Sequence, residues 1–563
     1  MATTNRPPSG LTVIRRFYFY VVAFVSIVAG LVAFDNLLEA LDDVWLGRRA
    51  LYDVGGGAFT REVLAASGGV LVVAVPIFLL HWYFIQKRQD DPDERHSALR
   101  KLFLYLTSGV LVGFILFRAY ALLEGIAALA FGQPVTASDI WPSGWLHNLL
   151  MLVAAFALEM NFRRIIRADG DYGRETESAG IWRRVYFVVA GLVGLGMILF
   201  GAAGIIETAW RTATSQVGGG QLGAAVNWWR HESLANGVAL LLIGAVLARV
   251  NWQRWHALTA VNTHEARSAL RRFYLYVAVT AAAVATLAPA AILLREALLL
   301  AFGSGAADPA DLVRKLATPV AYTPVGAALW IWHWRFLQRE AAEYGESEEG
   351  TVVRRLYYYV VAAVGLALLW FGAVDIVGAL LDALSGGIWV EPLATGLSLL
   401  AVGAPVWALH WRAVQRVATA ADISATAERA SLVRRAYLYG VALVGALLIL
   451  FYLARVVYRV LLFVLGDPAA GVLSAQTIDE IARALISAVL WGVHILAIRA
   501  DGRMGETAPA PQADVSAERA NLAARIARLE RELNEARQAL QRLEAGPDDE
   551  KRPEAEPPPA TGD

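Results

Sequence analysis

Cysteine is absent from the sequence, and lysine nearly so, with four among fifty basic residues. The first absence removes disulfides, thiolate metal sites and a catalytic thiol. The second fits the composition of a GC-rich bacterial genome and is silent about mechanism. Net charge is also missing: the formal charge is zero, so no basic surface for a nucleic acid is implied. Charged side chains are absent from the middle of every long apolar run as well. Ion-coupled carriers and proton relays usually place such groups in an internal cavity, so coupled transport is disfavoured.

What is present is apolar. Of 563 residues 57% are apolar, 18 are tryptophan and mean hydropathy is +0.47. Several stretches are long enough to cross hydrocarbon as helices. Arg15 and Arg16 lead directly into one of them, from Phe17 to Phe34. Without a convincing small-residue cleavage site it reads as a retained first membrane helix, not a removable signal peptide.

Self-similarity organises the chain. A basic pair runs into an aromatic, apolar stretch six times, as "RRFYFY" at Arg15, "RKLFLY" at Arg100, "RRVYFV" at Arg183, "RRFYLY" at Arg271, "RRLYYY" at Arg354 and "RRAYLY" at Arg434; the spacings are 85, 83, 88, 83 and 80 residues. Three residues before each pair stands Thr12, Ser97, Gly180, Ser268, Thr351 or Ser431, all N-cap types. Thirty-five residues after the cap, in five units, comes Gly47, Gly132, Gly303, Gly386 or Gly466, predicting a left-handed helix end; the third unit slips to Gly218. A helix of that length is ~51 Å long against ~30 Å of hydrocarbon, so it projects or tilts. In the first unit the surplus is amphipathic: Leu37, Leu38, Leu41, Val44 and Trp45 share a face, and Asp35, Glu39 and Asp42 are expected to turn away.

A second apolar helix follows each glycine, with spans near 63–83, 149–162, 234–252, 319–336, 393–411 and 481–498. The fold class is therefore all-α: a polytopic membrane bundle of six tandem two-helix repeats, about twelve crossings, with a coiled coil behind it. The repeats occupy 12–96, 97–179, 180–267, 268–350, 351–430 and 431–503. They are followed by a linker at 504–514, a coiled coil at 515–545 and a disordered tail at 546–563. Two crossings per unit make these direct repeats, unlike the inverted repeats of many secondary transporters. Lys and Arg concentrate where first helices start and second helices end, which puts both termini in the cytoplasm of a bacterium, beneath its inner membrane.

The recurring side chains at the junctions are Arg15, Arg16, Tyr18 and Tyr20; Arg100, Lys101 and Tyr105; Arg183, Arg184 and Tyr186; Arg271, Arg272, Tyr274 and Tyr276; Arg354, Arg355, Tyr357 and Tyr359; and Arg434, Arg435, Tyr437 and Tyr439. Arginine near a helix N-terminus opposes the dipole. The expected compensation is guanidinium snorkelling to lipid headgroups, with the tyrosines in the interfacial aromatic belt. A ring of Arg-Tyr faces binding an anion is the functional alternative. Second helices end in His81-Trp82, His333-Trp334 and His410-Trp411, with His494 at the matching place in the last unit. These histidines are the candidates for a haem or metal ligand, but Glu159 and Arg249 interrupt the series and His-Trp is ordinary interfacial chemistry; no cofactor is expected. Asp35, Arg118 and Asp375 stand deepest among the charges near the far end of the first helices. Small residues such as Gly109 and Gly113, and Gly191, Gly194, Gly201 and Gly204, are expected to let helices approach.

In the tail Leu522, Ile526, Leu529, Leu533, Leu540 and Leu543 fall at heptad spacing and are expected to oligomerise the chain, the alternative being a lone amphipathic helix.

The Arg-Arg-x-Tyr-x-Tyr junctions, the two-helix unit of roughly 84 residues and the His-Trp helix ends resemble the bacterial membrane domains grouped as domain of unknown function 5671, over about Thr12 to Arg499. The resemblance implies an integral membrane module and brings no catalytic residues. The expectation is a non-enzymatic membrane scaffold or sensor, self-associating and open to an unidentified cytoplasmic protein partner. A channel or uncoupled carrier for a small solute, and a redox protein using the histidines, are the competing classes.

Overall fold

The computed structural model describes residues 10–45, 58–132, 144–169, 177–215, 224–304, 309–420, 423–466 and 475–507, with isolated helical residues between 523 and 537. All regular structure among them is helical: α1 (Gly10–Trp45), α2 (Ala58–Gln86), α3 (Pro92–Arg95), α4 (Ala98–Ala130), α5 (Trp145–Ala168), α6 (Glu177–Ala213), α7 (Ala224–Val261), α8 (Thr263–Ala266), α9 (Ala269–Ala301), α10 (Pro309–Tyr344), α11 (Glu348–Ser385), α12 (Val390–Ala418), α13 (Ile423–Ala430), α14 (Leu432–Val464) and α15 (Ala475–Thr507). Five antiparallel hairpins pack directly, α1 on α2, α4 on α5, α6 on α7, α9 on α10 and α11 on α12.

Gly132, Gly303, Gly386 and Gly466 all take φ between 73° and 89°, as the helix-end pattern predicts. Gly47 and Gly218 lie outside the described residues. The caps divide. Ser97, Ser268 and Ser431 are N-caps of α4, α9 and α14, and the Ser431 hydroxyl accepts from Arg434 N–H. Thr12, Gly180 and Thr351 instead lie inside α1, α6 and α11, which begin earlier; α11 is capped by Ser347, whose hydroxyl accepts from Gly350 N–H. Even-numbered hairpins thus start at the expected serine, after a short helix, and odd-numbered ones run through it.

Among the described residues ten helices are long and apolar enough to cross a membrane. The two remaining hairpin helices are α5, which carries Asn148, Glu159, Arg163 and Arg164, and α10, which carries Asp311, Arg314 and Lys315 near its start.

The two larger cores follow pairs of hairpins, while a small one of Ala127, Ala128 and Ala235 joins hairpins two and three. Tyr20, Ile27, Phe103, Leu104, Met151 and Phe162 join hairpins one and two; Phe187, Trp255, Tyr274, Val279 and Leu337 join three and four. Within hairpins three and five glycine sets the approach: a Cβ on Gly201 would stand 2.5 Å from Leu241 N. Gly109 and Gly113 do not serve this purpose, since a Cβ on either would meet no atom of the chain within 4 Å.

The chain divides into two compact units, Met1–Gly492 and Val493–Asp563. In the second, Ile526, Leu529 and Leu533 are helical and exposed. Leu522, Leu540 and Leu543 lie outside the described residues.

Candidate functional site

The six basic junctions do not hang free at the ends of the hairpins. Glu94, on α3, accepts from Arg16 Nε at 2.8 Å and from the Tyr20 hydroxyl at 2.6 Å. Glu428, on α13, repeats the arrangement with Arg355 Nε at 2.6 Å and the Tyr359 hydroxyl at 2.8 Å, and Arg434 then donates to the Tyr359 oxygen at 3.0 Å. Glu265, on α8, gathers Arg183 at 2.8 Å and Arg184 at 2.7 Å. Each of these glutamates sits six residues before the next basic pair, in Glu94-Arg95-His96-Ser97-Ala98-Leu99-Arg100, Glu265-Ala266-Arg267-Ser268-Ala269-Leu270-Arg271 and Glu428-Arg429-Ala430-Ser431-Leu432-Val433-Arg434. The E-x-x-S-x-[LV]-R pattern was available in the sequence. It places a carboxylate on a short helical turn just outside the serine cap, facing back toward the preceding hairpin.

Hairpins two and four close on themselves, whereas Arg434 of hairpin six reaches Tyr359 and Gln415 of hairpin five. Arg100 makes two bonds to Asp169, at 2.8 and 2.9 Å, and Lys101 lies 3.5 Å from the same carboxylate. Arg271 pairs with Glu340 at 2.8 Å, and Arg272 donates to the Gly345 carbonyl at 3.0 Å.

These contacts correct the headgroup expectation at the buried positions. Arg16, Arg100, Lys101, Arg183, Arg271, Arg272 and Arg434 are all buried, six of them at 1–2% exposure. A guanidinium held by an internal carboxylate does not snorkel, because leaving would strand a buried charge. Arg15, Arg184, Arg354 and Arg355 are half-buried, and Arg435, Tyr18 and Tyr439 exposed; Arg354 lies 3.3 Å from Glu346.

The tyrosines divide the same way. Rings at the third position after the first basic residue of even hairpins face the core of their own pair. Phe103 packs on Tyr20 at 5.4 Å and on Trp82 at 6.0 Å, Tyr274 on Trp255 at 5.5 Å, and Tyr437 on Tyr359 at 5.1 Å and Trp411 at 5.7 Å. Two residues on, on another face of the helix, the ring meets the next pair: Tyr105 against Tyr186 at 5.9 Å, Tyr276 against Tyr357 at 4.6 Å. The motif R-R-x-Y-x-Y thus supplies one ring inward and one onward.

The His-Trp histidines are clasps within hairpins. The Nδ1–H groups of His81, His333 and His410 donate to the carbonyls of Ile77, Leu329 and Val406 at 2.7–2.8 Å, leaving Nε2 as acceptor. Nε2 of His410 takes the Tyr357 hydroxyl at 3.2 Å and that of His81 the Tyr18 hydroxyl at 3.4 Å. His494 is buried in the second unit. Among the described residues no three His, Asp or Glu groups converge as metal ligands would.

A second belt of charge crosses the opposite end. Asp35 pairs with Arg118 and with His147 (3.1 Å), and Arg118 also donates to Asn148 at 2.9 Å. Asp42 accepts from Gly144 N–H at 3.1 Å. Asp35 and Asp42 therefore point into the bundle, contrary to the amphipathic expectation, and Glu39 alone of the three is exposed. From Arg16 to Asp35 is 19 residues, or ~28 Å of helix, close to the ~30 Å of a hydrocarbon core. Between the belts Val72, Val73, Leu79 and Leu80 are among many large apolar side chains left exposed.

Long apolar helices in tandem hairpins, with paired charges at both ends and an exposed apolar band between them, define a multi-pass helical membrane protein. The chain belongs to the family described as domain of unknown function DUF5671, which it matches over residues 16–158, 184–321, 301–361 and 355–493. Three of those segments begin at Arg16, Arg184 or Arg355, the second basic residue of hairpins one, three and five, and each reaches into the second helix of the following hairpin. The repeating unit is thus a pair of hairpins, in agreement with the caps, the cores and the ion pairs. No curated protein and no solved structure matches the chain.

Proposed function

We propose that the protein is a non-enzymatic membrane scaffold or sensor in a bacterial inner membrane. Its arginine-rich hairpin ends and both termini face the cytoplasm, and it self-associates through a coiled coil at 515–545. In this reading α5 and α10 also cross, giving twelve spans: in α5 Glu159 takes the Ser108 hydroxyl of α4 at 2.8 Å and an Arg163 guanidinium of its own helix, and in α10 the charges Asp311, Arg314 and Lys315 are confined to the first turns.

The observation that carries the reading is the use to which the recurring charges are put. Glu94, Asp169, Glu265, Glu340 and Glu428 each hold basic side chains as clamps between or within hairpins. Such pairs fix register, a role suited to a rigid platform. The heptad leucines then provide valency. The test compares the full chain with one lacking 515–545. Loss of both the oligomer and a cytoplasmic protein partner on deletion supports the scaffold. Solute flux through proteoliposomes that survives the deletion would replace it with a channel or uncoupled carrier.

A further inference from the structure

Where the first pair of hairpins meets the second, two cavities share a wall. The first, of about 460 Å³, is apolar and runs along α4 from Leu102 to Leu116, facing α6. The second, of about 400 Å³, lies toward the arginine-rich end and is lined by Ser108, Arg163, Arg167, Tyr186 and Arg254 among others. Tyr105 and Tyr186 line both. Each volume falls within the ~300–1,000 Å³ of small-molecule sites.

We propose that the two cavities form one binding site for an anionic glycerophospholipid of the leaflet in which the arginine-rich ends lie, its phosphodiester among the three guanidiniums and an acyl chain in the apolar groove. Charge complementarity supports the head. Glu159 neutralises Arg163, which also donates to the Tyr186 hydroxyl at 3.2 Å; among the described residues Arg167 and Arg254 have no ion-pair partner. Guanidinium forks suit phosphate oxygens. Length supports the tail: Leu102 to Leu116 is ~21 Å of helix, enough for one leaflet of a ~30 Å core. Leu106, Val189 and Val193, at the groove, are exposed and open it sideways to the bilayer.

The neighbouring junction shows that the space is not a general property of the repeat. At 171 residues further on, Gly109 and Gly113 become Thr280 and Val284, Ser108 becomes Val279, and Arg163 and Arg167 become Trp334 and Gln338. There Tyr276 and Tyr357 stack at 4.6 Å instead of tilting at 5.9 Å. The first junction combines room for a chain with a cationic cradle.

The inference rests on the chain sitting in a bilayer, not on the scaffold role. The full chain is reconstituted in vesicles of equal parts phosphatidylglycerol and phosphatidylcholine, extracted, and examined by native mass spectrometry. One phosphatidylglycerol is expected to stay bound in preference to phosphatidylcholine, with inorganic phosphate failing to displace it. Arg167→Gln with Arg254→Gln is expected to weaken retention about tenfold or more, and Gly113→Leu, placed where a side chain meets open space, to do the same with the head intact. Equal retention by wild type and both variants overturns the proposal, as does displacement by inorganic phosphate alone. A dimer lost in Gly113→Leu also overturns it, assigning the groove to a second copy. If the double variant does not fold, Gly113→Leu decides by itself. A chain recovered without detergent would instead refute the membrane reading.

Discussion

At Glu94 one carboxylate gathers Arg16 and Tyr20 from the hairpin before it, on a turn that leads straight into the hairpin after it; where Tyr105 meets Tyr186, hairpins two and three meet through rings, the bond from Arg163 to the Tyr186 hydroxyl and small side chains such as Ala127, Ala128 and Ala235, with no carboxylate bridging them among the described residues. The same six-residue motif makes both junctions. Within a pair, a buried charge must find its partner, so the two hairpins have one register. Between pairs the recurring contact is aromatic, worth ~0.5–1.5 kcal/mol beyond its area, and it makes no such demand on register. Strong and weak seams thus alternate along the chain, and the cavities lie at a weak one.

The sharpest way to break this contrast is to remove a shared carboxylate. Glu94→Ala and Glu428→Ala each leave a guanidinium and a tyrosine hydroxyl without their acceptor in a buried site, and a loss of about 3–5 kcal/mol is expected. Thermal unfolding in detergent should show it as a lower Tm. Retention of wild-type Tm in both variants would mean that the clamps do not hold the pairs together. At the opposite belt, Asp35→Asn weakens contacts to Arg118 and His147. A double-mutant cycle with Arg118→Gln should return a coupling of about 1–3 kcal/mol, since the two groups touch.

Much of this was legible in the sequence, and the unread part has a physical cause. The glycine ends, the hairpin succession and the all-helical class follow from periodicity and from a residue type that alone adopts positive φ easily, so Gly132, Gly303, Gly386 and Gly466 announced themselves. The direction of the arginines did not. An Arg near a helix end suits lipid phosphate and internal carboxylate equally, and only the partner decides; Glu94, Glu265 and Glu428 lie in polar connecting segments outside the helical periodicity, and they recur in every second unit, at a spacing twice that of the basic junctions. The pairing of hairpins was hidden for a related reason, since Thr12 and Gly180 are as acceptable at a cap as Ser97. Asp35 and Asp42 were misplaced because amphipathicity assumes that charge faces water, whereas hairpin two offers Arg118, His147 and the Gly144 amide.

Tyr359→Phe sharpens the contrast at smaller scale. The hydroxyl donates to Glu428 and accepts from Arg434, so its removal is expected to cost about 2 kcal/mol. Tyr276→Leu, at a seam between pairs, loses a ring stack and should cost about 1 kcal/mol beyond area. Tyr105→Leu should cost less than Tyr276→Leu, because its ring partner is farther away. An inverted order, with Tyr276→Leu exceeding Tyr359→Phe in chemical or thermal unfolding, would erase the distinction between strong and weak seams.

The smallest effect belongs to an ion pair outside either kind of seam. Near the start of α10, Asp311 pairs with Lys315 at 2.8 Å and with Arg314, both of them exposed. The hydrogen bond from Lys315 leads the influences that hold the Asp311 carboxyl below its ordinary value. A carboxylate depressed on folding stabilises above its unfolded pKa of ~3.9 and ceases to do so as pH falls through the folded value. Solvent screens the pair, so Asp311→Asn should lower Tm only slightly at neutral pH and not at all once pH falls below the folded value, which flattens the acid side of a Tm against pH curve. A drop at neutral pH comparable to that of Glu94→Ala would show that burial is not what separates the clamps from the rest of the charge.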